Sequence, residues 1–260
     1  MTGATPYSEL NGLLDEITST AREAFGGEFV GAYLQGSFAV GDADLDSDCD
    51  FIVVSRTRPQ GPGETRVRAL HAGIPVRPGH WNHHLEGSYV VAEELRSLDG
   101  LGREWLYVDH GADEMEWSTH CNTEVMRWSL RERGVVLDGP APWTVIDPVP
   151  PDAIRERMRA ELPALLDDLA TWISIDRIAW GQRYAAATTA RMLYSLHTGE
   201  VTSKKAALTW VGGQLPEYRE LCEQVIADRL RGYDVHDVPR PGSVERTVAL
   251  VHDAVRIATS

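Results

Sequence analysis

The chain is organised around one stretch, Tyr33-Leu-Gln-Gly-Ser-Phe-Ala-Val-Gly-Asp-Ala-Asp-Leu-Asp-Ser-Asp-Cys-Asp-Phe-Ile-Val-Val54. Two apolar runs, residues 29–34 and 51–54, flank a Gly-Ser turn and an acidic loop, and both have the composition of β-strands. Asp48 and Asp50 lead into the second run. Because successive side chains of a strand point to opposite faces, these two carboxylates are expected to project from the same face.

The turn and the acids together predict a site for a nucleotide and a metal ion. Magnesium prefers oxygen ligands and keeps open positions for phosphate, which suits Asp48 and Asp50. Gly36 allows the backbone to approach a triphosphate closely, and Ser37 offers a hydroxyl and a backbone N–H. We therefore expect a nucleotide-binding loop between the first two strands.

The acidic run has two other interpretations, a solvated loop and a calcium loop. A calcium loop requires Gly at its sixth position and Glu at its twelfth, between two helices. Counted from Asp42, those positions hold Ser47 and Val53. A solvated loop does not explain a Gly-Ser turn between two apolar strands, so the nucleotide and metal site is preferred.

These residues resemble the signature of a known superfamily. Gly36-Ser37 followed by Asp48-x-Asp50 in an apolar strand is similar to the motif of the nucleotidyltransferases that include DNA polymerase beta. Over roughly residues 10–240 the chain resembles the aminoglycoside (3'')(9) adenylyltransferases, the streptomycin/spectinomycin type. The further motifs that carry this resemblance are Leu85-Glu86, Arg133-Gly-Val-Val-Leu-Asp-Gly-Pro140, Asp147-Pro-Val-Pro150 and Arg191-Met-Leu-Tyr-Ser-Leu-His-Thr-Gly-Glu-Val-Thr-Ser-Lys-Lys205.

The resemblance implies a reaction, its cofactors and a set of site residues. The reaction is AMP transfer from ATP, with Mg²⁺, to a hydroxyl of a small cationic molecule, with a streptomycin-like or spectinomycin-like aminoglycoside as the expected acceptor. Asp48, Asp50 and Glu86 are implied as catalytic and metal-binding residues. The implied nucleotide-binding residues are Gly36, Ser37, Ser47, Arg191 and Lys204.

Glu86 interrupts an otherwise apolar third strand, predicted over residues 84–92. Transfer to a hydroxyl requires removal of its proton while the α-phosphate is attacked. A carboxylate with an elevated pKa in a partly buried site can accept that proton. The resemblance places the catalytic base at the Glu of a Leu-Glu pair, so Glu86 is the expected base. A solvent-facing Glu at a strand edge is the alternative.

The acceptor site follows from the same resemblance, but here the chain departs from the family's pattern. In the resembled enzymes a Trp packs on the aminoglycoside, since a flat indole covers a sugar face. Trp105 and Trp117 are the candidates, with core packing as the alternative. Those enzymes carry acids at the start of the helix that leads to Arg191. Gln182 stands there in this chain and the nearest carboxylate is Asp176, so Asp176 is the candidate acid and a changed acceptor site is expected.

Histidines are concentrated at the entry to the third strand, at His80, His83 and His84, beside Trp81. Structural zinc in cytosolic chains usually has closely spaced Cys and His ligands with a second half-site, which is missing here. The segment is therefore predicted to be a polar loop beside the pocket.

Composition limits the classes of function. The net charge of −14 and the pI of about 5.0 argue against nucleic-acid binding. No apolar run is long enough for a membrane span, and three cysteines without a C-x-x-C spacing indicate neither disulfides nor zinc, so a cytoplasmic protein is expected. The alternative functions are transfer to another small molecule or to a protein, and nucleotide-binding regulation without catalysis.

Prolines at residues 148, 150 and 151 predict a domain boundary. Residues 1–149 are expected to form an α/β nucleotidyltransferase domain, a small mixed sheet with flanking helices. Residues 150–260 are expected to form an all-α helical bundle. Apolar periodicity predicts five helices there, near residues 152–173, 177–198, 203–211, 216–231 and 243–257.

Overall fold

The computed structural model describes residues 3–43, 47–174, 178–232, 234 and 236–260. The chain forms two compact units, Met1–Val149 and Pro150–Ser260. The first is built on a β-sheet, and the described part of the second is helical. The expected fold class, a mixed sheet with flanking helices followed by a helical part, is confirmed.

The sheet of the first unit has six strands in the order β5-β4-β3-β2-β1-β6. Strands β2 and β3 pair in parallel, and the other neighbouring strands are antiparallel. The strands are β1 (Phe29–Leu34), β2 (Cys49–Ser55), β3 (Leu85–Val91), β4 (Trp105–Val108), β5 (Met115–Ser118) and β6 (Val135–Asp138).

Five α-helices accompany this sheet among the described residues of the first unit. They are α1 (Ser8–Phe25), α2 (Gly36–Val40), α3 (Gly61–Gly73), α4 (Ala92–Arg96) and α5 (Glu124–Arg133). Helix α1 ends at Gly26, whose φ of 53° is accessible to glycine without the strain a Cβ would bring. The turn predicted at Gly36-Ser37 opens the short helix α2.

The sheet separates two apolar cores, and strand β2 contributes to both. Phe51 and Val53 pack into the core that includes α1. Ile52 and Val54 pack into the other core, together with Met126 of α5. Since side chains alternate along a strand, this burial pattern assigns every second residue of β2 to the α5 side.

The hairpin of β4 and β5 was not predicted. Residues 105–108 and 115–118 form these two short antiparallel strands. Strands of four residues give too few alternations for a reliable period-2 pattern.

The described part of the second unit contains six α-helices. They are α6 (Pro151–Glu161), α7 (Leu165–Trp172), α8 (Ile178–Thr198), α9 (Lys204–Gln214), α10 (Arg219–Arg229) and α11 (Ser243–Thr259). The helix predicted over residues 152–173 is two helices, because the segment Leu162–Ala164 is a 3₁₀ turn and Pro163 has no N–H for an α-helical bond. Helix α8 packs against α6, α9 and α11.

Among the described residues, the structure contains no helix with the length and apolar character needed to span a membrane.

Arg127 ties α5 to the end of α4. Its side chain is fully buried, and its guanidinium donates to the carbonyl oxygens of Leu95 (3.2 Å) and Glu94 (2.8 Å) and to Asn122 Oδ1. It also lies over the ring of Trp105, 5.2 Å from the centroid. Burial lowers the pKa of Arg127 to about 10, which leaves it charged at neutral pH.

Replacing Arg127 is expected to destabilise the first unit. Arg127→Met removes the guanidinium from four oxygen acceptors, the fourth being the carbonyl oxygen of Thr123 at 3.4 Å, at a cost of about 2–5 kcal/mol in the free energy of unfolding. Urea denaturation followed by circular dichroism measures this change. The exposed Arg133, at the end of the same helix, is the control, and Arg133→Met is expected to change stability by no more than about 0.5 kcal/mol. Equal stability of the two variants would contradict the anchoring role of Arg127.

Candidate active site

Three carboxylates gather at the amino-terminal ends of β2 and β3. In the parallel register of these strands Asp50 is paired with Glu86, so their side chains point to the same face. This is the α5 side of the sheet, since Asp50 alternates with the buried Phe51 of the α1 side. Asp48 precedes Asp50 by two residues, and its charge acts on Glu86. The structure therefore brings together the three acids that the sequence singled out.

The Gly-Ser turn is packed against these acids. The backbone N–H of Gln35 donates to the carbonyl oxygen of Asp50 (3.0 Å), and Ser37 Oγ donates to that of Asp48 (3.4 Å). Gly36 has a φ of 59°, and a Cβ at this position would overlap the Asp50 carboxylate. Glycine is thus required twice, by the backbone conformation and by the close approach. Ser47 is buried directly before Asp48.

Glu86 lies in a polar network on the α5 side of the sheet. Its side chain is 17% exposed, and its Oε1 accepts from the Tyr107 hydroxyl at 3.1 Å. His120 Nε2 is 3.5 Å and Cys121 Sγ 3.6 Å from the same oxygen. Burial raises the pKa of Glu86 and the charge of Asp48 adds to that effect, while the Tyr107 hydrogen bond and His120 oppose it.

The Tyr107 hydroxyl has two acceptors but one proton. Besides Glu86 it contacts Asp109 Oδ1 at 2.8 Å, and its pKa is raised by burial and by the charge of Glu86. A hydroxyl kept protonated in this way remains a hydrogen-bond donor at any physiological pH. Tyr107 can therefore donate to either carboxylate, and while it donates to Glu86 it holds that carboxylate in one orientation.

Asp48 is the more exposed acid, with 41% of its side chain accessible. It pairs with His110 Nδ1, and His84 Nδ1 is 3.8 Å from the same carboxylate oxygen. The hydrogen bond to Asp48 raises the pKa of His110, against the opposing effect of burial.

The two tryptophan candidates do not lie beside Glu86. Trp105 is 1% exposed in the α5-side core, where its Nε1 donates to Glu94 at 3.1 Å, so it is corrected to a core residue. Trp117 pairs in register with Leu106, whose side chain belongs to the α1-side core. Trp117 is therefore on the opposite face of the sheet from Glu86, stacked under Arg58 at 3.8 Å.

The remaining candidates belong to the second unit. Arg191 is half-buried on α8, and Lys204 is the half-buried first residue of α9. Gln182 is 1% exposed and its amide donates to Thr247 Oγ1 at 2.8 Å, so it is a core residue of the bundle. Asp176 lies outside the described residues.

Several residues around Asp48 and Glu86 were not predicted to have a role. Those now in contact with Glu86 or Asp48 are Tyr107, His110, His120 and Cys121. Tyr107 belongs to β4, His110 to the loop between β4 and β5, and His120 and Cys121 to the segment that follows β5. Strand alternation was a usable signal for Tyr107, because this residue stands two positions after the core residue Trp105 and therefore points to the same face of the sheet.

The donor set can do two kinds of chemistry. Carboxylate oxygens on a common face are ligands for a hard cation such as Mg²⁺. A partly buried carboxylate with a raised pKa can accept a proton from a hydroxyl. A metal site beside a general base is an arrangement used for transferring a phosphate group to an alcohol.

The chain is similar to adenylyltransferases. Residues 144–253 match the family model of the aminoglycoside adenylyltransferase, C-terminal domain. A spectinomycin 9-adenylyltransferase of Campylobacter jejuni is 23% identical over 214 residues, 78% of this chain and 79% of the relative. An aminoglycoside (3'') (9) adenylyltransferase of Shigella flexneri is 26% identical over 227 residues, 80% of each protein.

A solved structure has the same fold. The crystal structure of spectinomycin adenyltransferase AAD(9) from Enterococcus faecialis with ATP and spectinomycin superposes with a TM-score of 0.66 at 15% identity, covering 94% of this chain and 98% of that chain. The predicted resemblance is thereby confirmed: this chain has the fold of a nucleotidyltransferase, is similar over 78–80% of its length to aminoglycoside and spectinomycin adenylyltransferases, and in residues 144–253 matches that family's C-terminal domain.

Proposed function

We propose that this protein transfers AMP from ATP to a hydroxyl group of an aminoglycoside-type antibiotic. The observation that carries the proposal is the register of β2 with β3, which pairs Asp50 with Glu86 and leaves Asp48 beside them. The similarity to proteins named as spectinomycin and aminoglycoside adenylyltransferases supports the reaction and the class of acceptor. We place the reaction in the cytoplasm, where ATP is supplied and three free cysteines stay reduced.

The residues present fit a magnesium ion. Asp48, Asp50 and Glu86 are oxygen donors, and the charge of Asp48 already raises the pKa of Glu86, so a cation would relieve their mutual repulsion. We propose that these three residues hold Mg²⁺. When bound, such an ion offsets the negative charge that develops on the phosphate oxygens.

Glu86 is the proposed general base. As the acceptor oxygen bonds to the α-phosphorus, the bond from that phosphorus to the bridging oxygen breaks and pyrophosphate leaves. The hydroxyl proton passes to Glu86, whose raised pKa strengthens it as a base. Tyr107 acts as a positioning residue, because its hydroxyl orients the carboxylate without contacting the reacting atoms.

The nucleotide is proposed to bind at Gly36, Ser37 and Ser47. Gly36 lets the backbone approach, and Ser37 lies on the turn that is bonded to Asp48. Arg191 and Lys204 are proposed to contact the triphosphate, where positive charge would stabilise the departing pyrophosphate. This assignment is based on the resemblance of the segment 191–205 to the adenylyltransferases.

Glu86→Gln is expected to lower turnover about 10²–10⁴-fold while ATP binding is retained, because the amide keeps the shape but cannot accept a proton. Transfer of radiolabelled AMP to spectinomycin and streptomycin measures the rate, and calorimetry measures ATP binding. Glu114→Gln, the same change on an exposed turn of the β4–β5 hairpin, is the control and should keep the wild-type rate. Undiminished turnover of the Glu86 variant would remove this residue from its role.

Tyr107→Phe is expected to lower kcat about tenfold with little change in the KM for ATP, the size of one lost hydrogen bond to a charged group. The lost donor also favours the protonated form of Glu86. Its pKa therefore rises further, and the acidic limb of the pH profile of kcat should move to higher pH.

Tyr33→Phe is the matched control for the Tyr107 variant. It removes a tyrosine hydroxyl bond of 3.0 Å, to the carbonyl oxygen of Pro140, in the same unit and without contact to an acid of the site. Its pH profile should match that of the wild type. An unchanged acidic limb in Tyr107→Phe would show that the hydroxyl does not act on the base.

A further inference from the structure

Asp48, His84 and His110 meet at one edge of the sheet although they come from three separate segments. Cys49, the first residue of β2, is paired with Leu85, the first residue of β3. Asp48 and His84, the residues directly before them, therefore lie side by side. The backbone N–H of Cys49 donates to the carbonyl oxygen of His84 at 2.7 Å and fixes this level. Strand β4 runs antiparallel to β3, which returns the chain to this edge at His110.

The carbonyl oxygen of Leu85 accepts from the N–H of Gly111 at 3.4 Å, so the loop that holds His110 is bonded to the start of β3. The two imidazoles contact edge to face, with centroids 4.9 Å apart. One ligand atom from each of Asp48, His84 and His110 lies within 4.8 Å of the other two. Backbone pairing therefore sets the positions of all three side chains.

We propose that Asp48, His84 and His110 bind a borderline transition-metal ion of the Zn²⁺ class. Two imidazole nitrogens and one carboxylate oxygen are donors that zinc and cobalt prefer, whereas magnesium prefers oxygen alone. Three protein ligands leave a coordination position open for water or a phosphate oxygen. The site is partly exposed, so an ion can reach it from solvent.

This metal site shares Asp48 with the proposed magnesium site. The consequence for the reaction rests on the proposed function. The carboxylate oxygen Oδ1 of Asp48 faces both histidines, so zinc bound there takes a ligand atom from the magnesium site. We therefore expect zinc to compete with magnesium and to inhibit the transfer. The binding of the ion itself depends only on the three side chains.

The sequence did not predict this site because its ligands are 36 and 26 residues apart along the chain. His84 lies in the segment predicted to be a polar loop, and no role was predicted for His110. The three ligands lack the close spacing of a zinc motif, because only strand pairing brings them together.

Cobalt(II) titration of the protein without an affinity tag, in the absence of nucleotide and magnesium, tests the proposal. The visible d–d absorption of bound cobalt reports the ligands directly, and zinc competition gives the affinity for zinc. Loss of an outer-sphere partner alone costs about 10–100-fold in metal affinity, so His84→Ala and His110→Ala should each weaken zinc binding at least tenfold. His83→Ala, which changes the exposed neighbour of His84, is the control and should bind as the wild type does.

Far-ultraviolet circular dichroism and the urea midpoint establish that each variant is folded, and His84→Gln and His110→Gln provide a second pair. Cobalt spectra and zinc affinity unaffected by changes at both histidines would overturn the proposal. The spectra need no turnover: AMP transfer without histidine-dependent cobalt binding refutes the zinc site alone. Histidine-dependent binding without AMP transfer supports the zinc site and refutes the proposed function.

Discussion

The parallel pairing of β2 with β3 is the constraint on which the site depends. Parallel neighbours need a crossover, and here helix α3 lies between the two strands in sequence. A slip of one residue would turn Glu86 toward the α1-side core, where Leu85 and Tyr89 are buried. The apolar residues of β3 thus set the face on which its one acid lies, since a shift by one residue would turn them out of the core.

Gathering acids on one face has an electrostatic cost, and the structure shows how it is reduced. His110 pairs with Asp48, His120 lies beside Glu86, and Tyr107 donates to Glu86. The hydrogen bonds from Tyr107 to Glu86 and from His110 to Asp48 stabilise these carboxylates where no cation is bound. The histidines also allow this edge of the sheet to bind a second type of ion, because an imidazole that stabilises a carboxylate without metal is also a ligand for a softer ion.

Much of this architecture could be predicted from local sequence. The apolar runs of β1, β2 and β3, the amphipathic α1 and the alternation of Asp48 with Asp50 each depend on neighbours within a few residues. The network around Glu86 and Asp48 could not, because Tyr107 and His110 reach these acids through the pairing of β4 with β3, and His120 follows β5, which pairs with β4. Sequence distance hides such contacts, and four-residue strands give little pattern to reveal them.

The residues beside the base favour a particular kind of acceptor. Neither Trp105 nor Trp117 offers its indole on the face of Glu86, as one is in the core and the other lies across the sheet. What that face offers is Asp109, which is exposed, next to the acids of the site and to Tyr107. Several carboxylates converging on one edge produce a negative potential that attracts cations. An amine-bearing acceptor would be drawn toward Glu86, the proposed base, by this potential.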